Sequence, residues 1–279
     1  MPEFPEVRTL ISTLSSKDIF NTKITNINVL KPKLLKNSKV DEFKNFLIND
    51  KLDHIEQIGK YIVIVLKSKK ILLIHLRMEG KLVVDKDGDN YILNPNHIMC
   101  YFVFSNKNRL TYFDSRMFGT FDIYSNYNAM LKSKQISKLG VDPYSDNLTT
   151  KYLLEKYKNK NVAIKTALLD QTIILGIGNI YADEILFASK ISPLAKAKDI
   201  TENQLELIIK NTRRILTLAT KHAGTTIFSF KYDQNHEGSF QKYLKVHGKQ
   251  GLACPICKGT IKKIKVNGRG TYYCPTCQK

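Results

Sequence analysis

Four cysteines near the C-terminal end are the feature that most constrains this chain. Cys254, Cys257, Cys274 and Cys277 form the pattern C-x2-C-x16-C-x2-C. Two close pairs of thiolates are typical of a tetrahedral zinc site, to which each pair contributes two sulfur ligands. The alternative is two disulfides, which the start of the chain disfavours because MPEFPEVRTL does not have the composition of a secretion signal. We therefore predict one structural zinc ion (Zn2+) bound by these four residues.

The residues between the two cysteine pairs have the pattern of a β-hairpin. Strand-like IKKIKV and TYY flank Asn267-Gly268, a strong two-residue turn signal. We therefore predict a zinc ribbon over residues 245–279, with Arg269 at the tip of its hairpin. So small a ribbon cannot bury much apolar surface, and we expect the metal to supply its folding free energy.

The charge of the chain points to a polyanionic partner. Its 279 residues include 44 Lys and Arg against 25 Asp and Glu, a formal net charge of +19. A positive field of this size favours nucleic acid. No apolar run approaches the ~20 residues that a membrane-spanning helix needs, so we expect no membrane partner and a cytoplasmic protein.

The residue pattern changes from strand-like to helix-like along the chain and predicts a multidomain α+β fold. Short strand-like segments separated by turn-rich segments favour a β-sandwich, with Cys100 in a buried strand. One helix is expected near 3–14 and another near 41–50, where Asp41 is a candidate cap. The predicted domains are an N-terminal β-sandwich at 1–132, a linker at 133–148, a helical domain at 149–244 with a long surface loop at 225–243, and the zinc finger at 245–279.

The segment GIGNIYADEILF (176–187) has two interpretations. A dinucleotide-binding fingerprint fails because Tyr181 occupies the third glycine position. A tight turn that delivers Asn179 to a helix N-terminus fits better, and the N–H groups there suit a phosphate, although a simple helix cap remains an alternative. A later helix is expected to begin with a Thr201–Gln204 capping box and to end at Gly224.

The first residues of the chain place a candidate nucleophile beside two carboxylates. Glu3 and Glu6 lie at the first turn of the predicted helix, where carboxylates offset the helix dipole; general acid/base catalysis is the alternative. Removal of Met1 would expose Pro2, a secondary amine. The pKa of an α-amino group is ~8 and that of a lysine is ~10.4, so a larger fraction of the α-amino group is free base at neutral pH. A neutral amine can attack an electrophilic carbon and form an iminium ion.

Two turn segments carry candidate DNA-contacting side chains. HLRMEGK (75–81) and YFDSRMFG (112–119) each follow a strand. In one interpretation Met78 and Phe118 are core residues. In the other they project as apolar wedges beside Arg116, because proteins that kink DNA insert apolar side chains between base pairs and arginine reads base edges. Gly80 and Gly119 would then permit tight turns that present their neighbours outward.

Together these segments resemble the formamidopyrimidine-DNA glycosylase family, bacterial enzymes that repair 8-oxoguanine. MPEFPEV is similar to the start of the family, and HLRMEGK, YFDSRMFG, KLGVDPYS, GIGNIYADEILF and GRGTYYCPTCQK match in order over essentially the whole chain. The resemblance implies a two-layered β-sandwich, a helix-two-turns-helix domain and a zinc finger. It also implies a monomeric enzyme, associated with the bacterial nucleoid, that acts on double-stranded DNA containing oxidised bases or abasic sites.

The resemblance implies a set of catalytic residues. Pro2 would attack the anomeric sugar carbon of the damaged nucleotide, with Glu3 as general acid/base. Glu6 would support and orient the site, and Lys60 would contact phosphates near the lesion. The implied activity is bifunctional, because base excision through a Schiff base on Pro2 is followed by β- and δ-elimination, which cut the strand on both sides.

The resemblance also implies a set of DNA-binding residues. The target nucleotide must leave the stack, since its sugar is inaccessible there, and Arg116 would pair with the orphaned cytosine. The matching positions are Asn179 and Arg269 for phosphate binding, Met78, Arg116 and Phe118 for filling the gap in the duplex, and Glu79 with the loop 225–243 around the extruded base.

The chain departs from the family pattern near two of these segments. Arg8 stands where the family has an acidic residue, and Met117 stands where a second basic residue is common beside Arg116. Two other functions remain open on the sequence: an endonuclease VIII-like glycosylase for oxidised pyrimidines, and a non-catalytic zinc-ribbon protein that binds nucleic acid. Pro2-Glu3 distinguishes the latter, because a binding module has no need of a free terminal amine.

Overall fold

The computed structural model of the protein describes residues 1–86, 93–225 and 238–279. The chain divides into two compact units. The N-terminal unit comprises Met1–Ser137 and Thr225–Gly238, and the C-terminal unit comprises Lys138–Gly224 and Ser239–Lys279.

Eight strands of the N-terminal unit form two antiparallel sheets. These are β1 (Ile24–Val29), β2 (Leu52–Ile58), β3 (Tyr61–Leu66), β4 (Ile71–His75), β5 (Lys81–Lys86), β6 (Ile98–Phe104), β7 (Asn108–Phe113) and β8 (Thr120–Tyr124). One sheet has the order β1-β6-β7-β5 and the other has the order β2-β3-β4-β8. The predicted β-sandwich is therefore confirmed.

Aromatic side chains join the two sheets. Phe121 of β8 stacks on Phe102 of β6, with ring centroids 6.5 Å apart, and lies 4.9 Å from the ring of Tyr112 of β7. Rings at such distances contribute both buried apolar area and favourable ring–ring geometry. Cys100 is fully buried in β6, as predicted, and burial raises the pKa of its thiol, which makes it an inert core residue.

The described residues of the N-terminal unit include three α-helices: α1 (Phe4–Ser15), α2 (Val40–Leu47) and α3 (Tyr127–Leu131). The prediction of α1 is confirmed, with Val7, Leu10 and Leu14 on its buried face. The prediction of α2 near 41–50 with an Asp41 cap is wrong in its bounds and its cap.

The physical reason lies at both ends of α2. Lys39 is the N-cap, and its N–H donates to the Glu42 carboxylate at 3.4 Å, so Asp41 falls inside the first turn. The helix ends at Leu47 because Asn49 takes a left-handed conformation, φ 71°, and donates its N–H to the carbonyl of Ile24.

The C-terminal unit is helical up to its ribbon, with α4 (Thr150–Tyr157), α5 (Ile164–Leu168), α6 (Asn179–Ala188) and α7 (Glu202–Lys221). The predicted capping box is confirmed, since Thr201 N–H donates to Gln204 Oε1 at 3.0 Å and Gln204 N–H donates to Thr201 Oγ1 at 3.4 Å. Gly224, at φ 71°, donates its N–H to the carbonyl of Ala219 and ends this helical segment as predicted.

The ribbon is a two-stranded hairpin of β9 (Lys262–Val266) and β10 (Arg269–Tyr273). Asn267 and Gly268 form the predicted turn, with φ 44° and 77°. Positive φ at both positions is the requirement of a type I′ hairpin. The hairpin packs on α6 through a buried cluster of Phe187, Val246, Cys254, Ile261 and Cys274.

The predicted loop at 225–243 is described only at its two ends. Residues 226–237 lie outside the described residues, and Phe240–Tyr243 form a 3-10 turn. Within the described parts of the chain, no helix combines the length and the apolar character needed to cross a bilayer.

Candidate active site and nucleic-acid interface

The first turn of α1 holds the predicted catalytic residues in a buried setting. Glu3 is the N-cap of α1 and is 3% exposed, as is Glu6 at the third helical position, while Pro2 is buried behind Met1. Glu3 N–H donates to Glu6 Oε2 at 2.9 Å, which is one half of a capping box. This bond fixes the backbone of Glu3 directly next to Pro2.

The second oxygen of Glu6 reaches a residue far away in the sequence. Glu6 Oε1 accepts the N–H of Thr225 at 2.8 Å and the Thr225 hydroxyl at 3.1 Å. A buried carboxylate is tolerated when hydrogen bonds satisfy both its oxygens. Glu6 therefore anchors the start of the chain and the start of the loop at 225–243 to one another.

Lys60 lies in the turn between β2 and β3. Ile58 pairs with Tyr61, and Gly59 takes the left-handed conformation, φ 58°, that a two-residue turn requires. Lys60 is 7% exposed. The side-chain amide of Gln57 donates to Phe4 O at 3.0 Å and to Gly59 O at 2.8 Å, so the structure brings the Lys60 turn and the N-terminal turn together.

His75, the last residue of β4, lies beside the Lys60 turn. Its ring meets that of Tyr61 edge-on, at 4.7 Å between centroids, and its Nδ1 accepts the N–H of Arg77 at 3.0 Å. Burial, with the charges of Arg77 and Lys60, lowers the pKa of His75 to about 3. The ring is therefore neutral at physiological pH and serves as a hydrogen-bond acceptor for the turn that follows.

Met78, Arg116 and Phe118 are on the surface. Met78 is 37% exposed and Phe118 is 53% exposed, so their interpretation as core residues is wrong. Arg116 is exposed, and its guanidinium lies over the Phe118 ring, 5.0 Å from the ring centroid. Glu79 is half-buried next to Met78. Exposed apolar side chains beside a cation suit a surface that receives unstacked bases.

The two turns that carry these residues share one buried support, Tyr112. A Cβ at Gly80 would lie 2.3 Å from the Tyr112 hydroxyl oxygen, and a Cβ at Gly119 would lie 1.7 Å from it. The glycines are therefore required by close approach to Tyr112. The sequence-based reason, backbone freedom, is wrong for them, because neither has a positive φ.

Asp114 shapes the turn that carries Arg116 and Phe118. It is 1% exposed, and its Oδ1 accepts the N–H of Arg116 at 3.0 Å. Its Oδ2 accepts the N–H of Phe118 at 2.9 Å and that of Gly119 at 2.8 Å. Three bonds to one carboxylate make this turn a rigid platform.

Left-handed backbone occurs just before each exposed apolar side chain. Arg77 has φ 57° and Met117 has φ 54°, and they precede Met78 and Phe118. Neither is a glycine, so each position stores strain that the surrounding hydrogen bonds must offset. Such strain is concentrated at functional positions.

Asn179 is the first residue of α6, after the N-cap Gly178, as predicted. Its Nδ2 donates to the carbonyl of Gly270 at 3.0 Å, next to the exposed Arg269 at the start of β10. The structure thus brings Asn179 and Arg269 together within the C-terminal unit. A helix N-terminus beside a guanidinium can bind a phosphate.

A buried ionic network attaches the ribbon to α6. Lys165, 1% exposed, contacts Asp183 Oδ1 at 2.7 Å and donates to Gly270 O and Thr271 Oγ1. Asp183 Oδ2 accepts the N–H of Tyr272 at 3.2 Å. Glu184 accepts three backbone N–H groups, those of Lys245, Val246 and His247, each at 2.9 Å. The ribbon is therefore held at its hairpin and at its entry.

The four ribbon cysteines have the geometry of one zinc site. Their Sγ atoms all lie within 4.8 Å of one another, with Cys254 and Cys277 at 3.8 Å and Cys257 and Cys274 at 3.4 Å. Tetrahedral ligands about 2.3 Å from zinc are about 3.8 Å apart, whereas sulfurs in a disulfide are about 2 Å apart. These thiols fit a structural zinc ion and exclude the disulfide alternative.

Sequence reasoning missed the residues that position the others. Gln57, Tyr112, Lys165 and Asp183 act through partners distant in sequence, which one sequence does not reveal. Asp114 had a local signal, since an aspartate that begins a turn often accepts the N–H groups that follow it.

Family models match nearly the whole chain. The formamidopyrimidine-DNA glycosylase N-terminal domain matches residues 1–121, the formamidopyrimidine-DNA glycosylase H2TH domain matches residues 139–231, and the zinc finger found in FPG and IleRS matches residues 251–279.

Relatives and solved structures agree over their full length. The chain is 47% identical to the formamidopyrimidine-DNA glycosylase of Ureaplasma parvum, with 100% of both chains covered, and 42% identical to that of Mycoplasma pneumoniae, covering 100% of this chain and 99% of the relative. A Lactococcus lactis FPG variant in complex with a Fapy-dG containing DNA superposes with a TM-score of 0.91 at 33% identity, covering 100% of both chains. The Lactococcus lactis Fpg in complex with an abasic site containing DNA gives 0.91 at 32%, covering 99% of both.

If the four cysteines bind one zinc ion, replacing one of them should release the metal and destabilise the ribbon. Cys257→Ser should lose the zinc and melt at a lower temperature, because the ribbon has little core of its own. The measurement is metal content by mass spectrometry together with a thermal melt. The wild type and the control Cys100→Ala should hold one zinc per chain, and a Cys257→Ser protein with full zinc would contradict the assignment.

The environment of His75 predicts an acid-dependent loss of stability. The folded state binds a proton on His75 only near pH 3, whereas the unfolded state binds it near ~6.5. The contribution of His75 to the free energy of unfolding is therefore fully present above pH 6.5 and is lost as the pH falls towards 3. Asp122, whose pKa burial raises to about 6, acts in the opposite direction, so the comparison must be between variants.

The variant for this comparison is His75→Asn, whose amide oxygen can still accept the N–H of Arg77. Its free energy of unfolding, measured in urea at pH 7 and pH 5, should fall less on acidification than that of the wild type. Equal losses in the two proteins would mean that His75 does not titrate on unfolding.

Proposed function

This chain belongs to the formamidopyrimidine-DNA glycosylase family, and we propose on that premise that Pro2, freed by removal of Met1, is the nucleophile of its reaction. The enzyme is a DNA N-glycosylase with abasic-site lyase activity, and its substrates are oxidised purines in double-stranded DNA. The observation that carries the proposal for Pro2 is the buried capping box at the start of α1, which fixes the backbone beside the terminal amine.

The reaction begins with the terminal amine as a free base. The Pro2 nitrogen attacks the anomeric carbon, a C–N bond forms, and the bond from that carbon to the damaged base breaks with its electron pair, which takes up a proton from solvent. The N–H proton of Pro2 passes to the Glu3 carboxylate, and Glu3 then gives it to the ring oxygen of the sugar as the ring opens, leaving an iminium ion. Loss of a proton from the neighbouring carbon expels the 3′ phosphate, loss of a second proton further along the opened sugar expels the 5′ phosphate, and water then hydrolyses the Schiff base and frees Pro2. The burial of Glu3 directly next to Pro2 supports this role, since a general acid/base must lie within reach of the proton that it transfers.

Glu6 supports the reaction without taking part in it. Its two carboxylate oxygens already accept hydrogen bonds from the backbone N–H groups of Glu3 and Thr225. We assign it to positioning the terminal turn and Thr225, and we assign Glu79 to the surroundings of the extruded base.

Met78, Arg116 and Phe118 fill the gap left by the extruded nucleotide. Two exposed apolar side chains and one guanidinium on rigid turns support this role, because a wedge that holds a duplex open must not itself collapse. Arg116 contacts the cytosine opposite the lesion. Met117 is half-buried in the same turn and adds no cationic contact.

Phosphate contacts come from both units. Lys60 in the β2–β3 turn binds phosphates near the lesion, and the N-terminus of α6 with Asn179 and Arg269 binds further phosphates. The structural zinc holds the hairpin that carries Arg269. Because its substrate is chromosomal DNA, we place the enzyme in the bacterial cytoplasm at the nucleoid.

Covalent trapping tests the nucleophile. With a duplex that holds 8-oxoguanine opposite cytosine, borohydride should reduce the Schiff base and leave the protein crosslinked to DNA, and peptide mapping should find the link on the N-terminal peptide. Glu3→Gln should bind the same duplex but excise no base, because a carboxamide cannot transfer the proton. A crosslink on a lysine peptide would refute Pro2, and normal turnover by Glu3→Gln would remove Glu3 from the mechanism.

The wedge is tested separately from the chemistry. Phe118→Ala should melt nearly as the wild type does, whereas a core phenylalanine would cost about 3–5 kcal/mol, and it should lose excision from duplex DNA. Arg116→Ala should also weaken the preference for cytosine opposite the lesion, since such a contact is worth about 1–3 kcal/mol. The measurements are excision rates against each opposite base and a thermal melt. A large fall in melting temperature with an unchanged opposite-base profile would contradict the wedge.

A further inference from the structure

We infer that Gln57 is a positioning residue for the attack on the damaged nucleotide, and that Arg8 orients it; the inference rests on the proposed roles of Pro2 and Lys60. Gln57 touches neither DNA nor a reacting atom in this proposal. It acts by holding two backbone segments at a fixed separation.

The Gln57 side chain joins the two segments directly. It lies near the end of β2, where Gln57 pairs with Ile62, and is half-buried. Its Nε2 donates to Phe4 O at 3.0 Å and to Gly59 O at 2.8 Å. Phe4 follows Glu3, and Gly59 precedes Lys60, so both protons of one amide connect the nucleophile's turn to the phosphate-binding turn.

Arg8 determines which way the amide faces. Arg8 Nε donates to Gln57 Oε1 at 2.6 Å, and its guanidinium lies over the ring of Phe4, one helical turn earlier, at 5.0 Å from the centroid. Since the oxygen is held by a cation, the NH2 group must face the two carbonyls. The flipped amide would place its oxygen against two carbonyl oxygens with no proton between them.

This separation matters for the reaction rate. The amine must reach the sugar carbon while Lys60 holds a phosphate near the lesion, and a misplacement of about 1 Å can cost about 10²-fold in rate. One segment is a helix start and the other is a hairpin turn, and the Gln57 amide donates to a backbone carbonyl of each. An amide that binds both is the arrangement that fixes their distance.

Gln57→Glu is the sharpest test, because it keeps the shape and the bond from Arg8 but removes both donated protons. In single-turnover borohydride trapping on an abasic-site duplex at saturating protein, we expect its rate to fall by about 10- to 100-fold. Its dissociation constant for the duplex should match that of a control with the same charge change, Asn45→Asp, at an exposed position of α2, whereas its melting temperature should be somewhat lower because two hydrogen bonds are lost. Arg8→Ala, which also lowers the net charge by one, should show a smaller fall in the trapping rate.

The outcomes separate this inference from the proposed function. Wild-type protein that is active but is not trapped on its N-terminal peptide would overturn the proposed nucleophile and the inference with it. Wild-type trapping at Pro2 with normal rates in Gln57→Glu and Arg8→Ala would overturn the inference alone. A fall in rate matched by an equal weakening of duplex affinity relative to Asn45→Asp, at a temperature where both variants are folded, would show a merely structural role and would also overturn it.

Discussion

The buried carboxylate of Glu6 is the interaction on which the candidate active site depends. It accepts a hydrogen bond from the N–H of Glu3, three residues earlier, and two from the N–H and hydroxyl of Thr225, 219 residues later. A chain terminus normally frays, because few contacts offset the entropy of ordering it. Here the hydrogen bonds to Glu6 order the first turn, so Pro2 and Glu3 occupy defined positions. The capping of this helix and the placing of the proposed nucleophile are therefore one structural feature.

The same principle recurs at the exposed turns. Met78 and Phe118 have large apolar surfaces in water, and left-handed residues precede them, so neither turn is favourable by itself. Buried polar groups offset this cost: Asp114 accepts three backbone N–H groups, and the Tyr112 hydroxyl lies where the side chains of both nearby glycines would be. The ribbon follows the pattern, since Lys165, Asp183 and Glu184 hold the hairpin that carries Arg269.

The sequence predicted what depends on neighbouring residues. The zinc ligands, the Asn267-Gly268 turn, the capping box at Thr201 and the start of α6 at Asn179 follow from local rules, and the structure agrees with each. The cap of α2 was misplaced because the N-cap is Lys39, a residue type that is not a preferred cap, and Glu42 accepts its N–H from the third helical position. Gln57, Tyr112 and Lys165 could not be found, because their partners are 36 to 106 residues away in the chain. Local rules thus predict the candidate reacting groups and some of their supports, such as Glu6, while supports with distant partners, such as Gln57, emerge from the fold.

The most direct test of this account is to displace the terminal amine by one residue. A glycine inserted between Met1 and Pro2 would leave a protein that begins with glycine after removal of Met1, as intact mass would verify, and would turn Pro2 into an internal amide without a basic nitrogen. We expect this protein to bind an abasic-site duplex with wild-type affinity but to form no borohydride-trapped complex through Pro2 and to cut the strand at least about 10²-fold more slowly. Strand cleavage at the wild-type rate would contradict the claim that the ordered N-terminal turn supplies the nucleophile.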